Sequence, residues 1–91
     1  MSVLDDGTVT AALGRLAWER EGSELVKTVQ RKDFAAAMTF VNEVAGAAEA
    51  ANHHPDISIS WNTVRLRLST HSAGGITQKD LELAARIDEL A

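Results

Sequence analysis

Two alternating runs constrain this chain more than any other feature. Ile57, Ile59 and Trp61 alternate with Ser58 and Ser60, and Val64, Leu66 and Leu68 alternate with Arg65, Arg67 and Ser69. Successive side chains on a strand point to opposite faces, so each run has one apolar side and one polar side. Joined around Trp61-Asn62-Thr63, the runs predict a hairpin with one face buried and the other in water. A chain of 91 residues has room for one core. The remaining segments must therefore cover that face, and residues 1–91 are expected to form a single domain.

Those segments carry their own signals. After Asp5-Asp6-Gly7, Val9, Leu13 and Leu16 follow at i, i+4 and i+7, which predicts a short helix with one apolar stripe, weakened by Gly14. Trp18–Glu21 and Leu25–Arg31 flank Gly22-Ser23, a turn signal between two short strands, the second supplied with β-branched Val26, Thr28 and Val29. Asp33 can cap a helix running from Phe34 to about Asn52. Pro55 bars its continuation and pushes His54 into an extended conformation, whereas His53 can still be helical.

That helix has two adjoining stripes, Phe34/Met38/Val41/Ala45/Ala48 and Ala37/Phe40/Val44/Ala47/Ala51, together wider than the ~100° needed to face one core. Two accounts fit. The helix is buried on two sides within its own domain, or its excess apolar surface meets another subunit, in which case a charge at Phe40 or Val44 would disturb assembly. Thr77-Gln78-Lys79-Asp80 reads as a capping box opening a last helix with Leu83, Ala84, Ile87 and Leu90 on its apolar side. Capping alone explains Asp80. The expected class is α+β, in the order α-β-β-α-β-β-α, with a four-stranded, mostly antiparallel sheet and its three helices on one face.

Several functions are disfavoured. With 13 acidic against 9 basic residues and a net charge of -4, the chain lacks the basic patch a direct nucleic-acid partner requires. It has no cysteine for disulfides or thiolate metal sites. The N-terminus has neither a basic nor an apolar leader region, and no apolar run reaches membrane-spanning length. A cytoplasmic protein with no membrane partner is expected.

All three histidines fall within Glu49–Asp80: the pair His53-His54, directly before Pro55, and His71 after the second alternating run. Histidine exchanges protons near neutral pH, its unperturbed pKa being about 6.5. Glu49 lies one helical turn before His53, which brings its carboxylate within reach of that imidazole. Three histidines can bind zinc, but adjacent histidines on a bending chain seldom converge on one ion, and no pair has the i, i+4 spacing of a helical metal site. No serine or threonine stands in a nucleophile elbow. Proton transfer between two imidazoles across a small pocket remains, alongside the plainer account of three surface or capping histidines that share no site.

The combination Glu49, His53-His54-Pro55, Trp61-Asn62, Thr70-His71, Gly74-Gly75 and Thr77-x-x-Asp80 closely resembles the signature of the pterin-4a-carbinolamine dehydratases. Trp18, Lys32-Asp33-Phe34 and Phe40-Val41 look similar too, so the resemblance runs from about Trp18 to Ile87. A histidine pair before proline, an aromatic six residues after it and a histidine ten residues later make a specific pattern. Where many relatives have tyrosine, position 61 is Trp.

The resemblance implies a dehydratase that converts 4a-hydroxytetrahydropterin to quinonoid dihydropterin with neither a metal nor an organic cofactor. It implies acid–base work by His53 and His71, with His54 in the catalytic set mainly to hold the substrate. Glu49, His54, Pro55 and Trp61 would make the substrate-binding set: Glu49 orienting this group, Pro55 shaping the turn, and Trp61, like Asp80, acting structurally. It further implies a small-molecule pterin substrate and a homodimer or homotetramer. The alternative is a non-catalytic interaction protein that uses the same fold to bind a protein partner.

Overall fold

The computed structural model describes residues 2–91. Asp5 caps helix α1, Asp6–Leu13, by accepting the Thr8 N–H at 2.7 Å, and this backbone hydrogen bond holds its carboxyl below the ordinary range. The helix stops at Leu13. Leu16, expected on its stripe, lies beyond the end and packs against the core from the connection that follows. Strands β1, Glu19–Glu21, and β2, Glu24–Gln30, form the first hairpin. Its turn holds Gly22 at φ 59°, a conformation in which only glycine is unstrained.

Helix α2 spans Phe34–Ala51, with the Asp33 carboxylate accepting the Ala36 N–H at 2.8 Å. Strands β3, Asp56–Ser60, and β4, Thr63–Leu68, form the second hairpin, and α3, Gln78–Leu90, ends the fold. The four strands run in the order β1-β2-β4-β3, every neighbouring pair antiparallel. The expected element order and sheet are therefore those of the structure.

Register explains how the core forms. Leu25 stands opposite Leu68, and Val29 opposite Val64, which puts the apolar side chains of β2 and β4 on one face. They join Val9 and Ala12 of α1, Phe40 and Val44 of α2, and Leu83, Ala84 and Ile87 of α3 in one buried cluster, so all three helices cover the same face. On the other face Arg65 and Arg67 reach Glu21, and Arg67 also reaches Glu24, a solvated charge network.

The core also has a polar clamp. The Trp18 indole N–H donates to Asp88 Oδ1 at 2.9 Å, and the other oxygen of Asp88 accepts the Ala17 N–H. Lys27 Nζ lies 3.0 Å from the same carboxylate. This ties the C-terminal end of α3 to β2 and to the chain entering β1.

Helix α2 settles which stripe faces inward. Ala37, Phe40, Val44 and Ala48 are buried in the domain's own core, so Phe40 and Val44 are not free to meet another subunit. The inward face thus takes Ala37, Phe40 and Val44 from one stripe and Ala48 from the end of the other, whose first part turns outward. Phe34 is 52% exposed, and Met38 and Val41 are only half-buried. Strand β3 is an edge, and Ile57, expected on a buried face, is 37% exposed there. Among the described residues no helix is long and apolar enough to cross a membrane.

Candidate active site

The end of α2 decides where the first two histidines go. Asn52 takes the left-handed conformation (φ 49°, ψ 42°), its N–H donates to Glu49 O, and the His53 N–H donates to Ala48 O. This paired cap stops the helix and turns the chain sharply. His53 is thus already outside the helix, and Pro55 leads into β3.

The turn overturns the expected pairing of Glu49 with His53. The i, i+4 geometry needs both residues on helix, and Asn52 breaks it. Glu49 instead meets His54, with Oε2 and Nε2 at 2.5 Å, on the exposed surface.

His53 points the other way. Its side chain is only 11% exposed, and its Nε2 lies 2.5 Å from Asp80 Oδ1. Asp80 is fully buried. Its Oδ2 accepts the Thr77 N–H and the Thr70 hydroxyl, each at 2.8 Å, and the Thr70 hydroxyl in turn meets that of Thr77 at 2.7 Å. The expected capping box at the start of α3 is present. Yet Asp80 does more than cap: a buried carboxylate needs several donors, and His53 is one of them. A carboxylate only accepts, so the shared proton sits on His53 Nε2 and Nδ1 is left as the basic nitrogen of the neutral ring. Asp80 is the residue that sequence reasoning missed. It lies 27 positions from His53, and its role as a cap already accounted for it.

His71 arrives from a different element. It follows the end of β4, where a bridge between Thr70 and Gly75 closes a tight loop with Gly74 at φ 79°. The Thr70 O accepts the N–H groups of Ala73 and Gly74, which fixes the loop. His71 is exposed, as alternation along β4 predicts, and its side chain makes no hydrogen bond to another described residue. A cavity of about 320 Å³ brings the three histidines together, with Asn52, Thr70 and Lys79 also on its wall. A larger groove of about 770 Å³ between α1 and α3 has no histidine.

Three members of the expected substrate set, Glu49, Pro55 and Trp61, lie outside this cavity, and Glu49 borders it only through its contact with His54. Pro55 adjoins it through the chain, next to His54. Trp61 does not reach it. It occupies the turn at the opposite end of the β3–β4 hairpin, where the Asn62 side chain bonds to Arg31 O near the start of α2. Five strand residues at about 3.3 Å each put Trp61 roughly 17 Å from the histidine end. It is 68% exposed and held at φ 52°, an uncommon conformation for so large a residue. Among the described residues no group of three or more histidine, aspartate or glutamate side chains is gathered closely enough to hold a metal ion.

Such an arrangement suits proton transfer: one imidazole fixed by a buried carboxylate, a second exposed on the same cavity, and space for a small ring system. Comparison with known proteins points to one family. Residues 2–90 match a family model described as pterin 4 alpha carbinolamine dehydratase. A protein of Thermomicrobium roseum is 52% identical over 92 residues, covering 100% of this chain and 99% of its own length. One from Nocardia farcinica is 53% identical over 90 residues, covering 98% and 95%. Both bear the name "Putative pterin-4-alpha-carbinolamine dehydratase". A crystal structure described as a transcriptional coactivator/pterin dehydratase from Brucella melitensis superposes with a TM-score of 0.94 at 29% identity, covering 99% of each chain. A pterin dehydratase-like protein described as a RuBisCO assembly factor of the alpha-carboxysome shares the fold, with a TM-score of 0.67 at 23% identity over 84% of this chain and 88% of its own.

Proposed function

The chain belongs to the pterin 4 alpha carbinolamine dehydratase family, and from that premise we propose that it removes water from a 4a-hydroxytetrahydropterin to give the quinonoid dihydropterin. The observation that carries this reading is the convergence of His53, His54 and His71 on one cavity. In the elimination, the bond from C4a to its hydroxyl oxygen breaks and the neighbouring ring N–H loses its proton. One imidazole protonates the departing hydroxyl, so that it leaves as water. The other receives the ring proton as the new carbon–nitrogen double bond forms, and exchange with solvent restores both rings.

We assign this acid–base work to His53 and His71. Asp80 fixes the tautomer and orientation of His53, acting through that ring and not on the pterin. The exposed pair His54 and Glu49 binds the substrate at the mouth, and Pro55 holds the chain that carries His54. The assignment uses only this chain's side chains, with no metal and no organic cofactor.

Folded His53→Ala and His71→Ala variants test these roles in single-turnover dehydration. Each is expected to lose about 10²–10⁴-fold in rate. Full activity in either variant would remove that histidine from the mechanism.

We further infer that the chain associates with copies of itself, as a homodimer or homotetramer. The support is the outward side of α2 at Phe34 and Met38, together with the open edge of β3. That edge has no lysine and no internal proline to discourage pairing. The face is separate from the histidine cavity, so binding another protein there is compatible with catalysis.

A further inference from the structure

We propose that the pterin this site takes bears an anionic group at the end of its side chain, and that Lys79 and Arg86 receive that group. The inference rests on the dehydratase reading and specifies its substrate.

Beside the histidine cavity lies a second one of about 350 Å³, between the last turns of α2 and the stretch of α3 from Lys79 to Arg86. His53 and Lys79 line both. The two hollows therefore share a wall at the residue assigned to the chemistry. Each is near the lower limit for a ligand pocket, and together they suit a ring system with an extension. The walls differ in kind. The histidine cavity is polar, whereas the second has an apolar floor from Ala47, Ala50 and Leu83 with Lys79 and Arg86 at its sides. An apolar floor between two cations matches a short carbon chain ending in an anion.

Neither cation is accounted for by the fold. Lys79 lies in the first turn of α3, where the helix dipole disfavours positive charge. It makes no ion pair and no side-chain hydrogen bond to another described residue. Arg86 has one long contact, 3.4 Å to Glu89, between two well-exposed side chains, an arrangement that contributes little. Glu82, also on the wall, offsets one of the two positive charges, which leaves a net attraction for an anion. A phosphate ester on a polyol tail and the terminal carboxylate of a folate-like tail both supply that chemistry.

The test is calorimetric binding of stable dihydropterins, which does not depend on turnover. Three probes are compared: a neutral hydroxyalkyl side chain, its phosphate ester, and a side chain ending in a carboxylate. The phosphate ester or the carboxylate is expected to bind about fivefold more tightly than the neutral compound, with the tighter of the two identifying the source of the anion. Lys79→Gln and Arg86→Gln should each bring the ratio of anionic to neutral Kd towards one, and Lys79→Arg should preserve it. Equal Kd values for all three probes in the parent protein would overturn the anionic tail while leaving the dehydratase reading intact. Retained preference for the anion without any dehydration would keep the pocket and remove the reaction. No binding of any probe would overturn both.

Discussion

Asp80 serves three groups at once: it accepts the Thr77 N–H at the start of α3, the Thr70 hydroxyl at the end of β4, and the His53 ring. One buried carboxylate thereby locks the helix, the loop that presents His71 and the orientation of His53. Asp80→Asn separates its structural from its chemical part, because asparagine also supplies an acceptor for the cap. The folded variant is expected to dehydrate more slowly, with a smaller loss than deletion of His53 itself, and with an altered pH profile for kcat. A changed melting temperature with an unchanged pH profile would make Asp80 purely structural. The identities of the three histidines and their neighbourhood were legible in the sequence, since His53-His54-Pro55 and His71 flank one predicted hairpin. Their partners were not. Glu49 is one turn from His53 by count, and only the left-handed Asn52 shows that the chain leaves the helix before that turn is complete.

At the scale of elements, the cap at Asn52 links stability to the site. Asparagine tolerates the left-handed conformation better than most residues, and glycine better still. Asn52→Gly should keep the melting temperature close to that of the parent, while Asn52→Val should cost about 1–2 kcal/mol in denaturant unfolding. Equal stabilities for the two variants would show that the cap geometry carries no such weight. The alternation of Val64, Leu66 and Leu68 was readable because β4 is a central strand with one face on the core. The same pattern in Ile57 and Ile59 overstated the burial of β3, because alternation identifies a face but not whether a strand ends up at the sheet's edge. Likewise, the two stripes of α2 were both visible, but which one turns inward depends on how α2 meets α3 and the sheet, information that lies in tertiary packing. The end of α1 at Leu13, short of Leu16, follows from the Gly14 region, a weak point that the sequence marked but did not resolve.

For the whole molecule, one face of the sheet is covered by helices and the other carries solvated charge, and the exposed large apolar side chains include Phe34 on the outer side of α2, Ile57 on the edge of β3 and Trp61 in the turn after it. A charge placed there, Phe34→Glu, is expected to lower the mass measured by light scattering while the domain stays folded, since Phe34 is 52% exposed. An oligomer of unaltered mass would put the contact elsewhere, and a monomeric parent protein would remove it. Phe40→Glu would be uninformative, since Phe40 is in the core and its replacement unfolds the domain. The histidine cavity, by contrast, is assembled from the ends of α2 and β4 and the first turn of α3, where backbone caps and a tight loop hold side chains that are far apart in sequence. Its chemistry is read without an intermediary by stopped-flow decay of freshly generated 4a-hydroxytetrahydropterin near neutral pH. The parent protein is expected to accelerate decay above the spontaneous rate, and His71→Ala to abolish the acceleration. Decay at the spontaneous rate in the presence of folded protein would contradict the dehydratase reading.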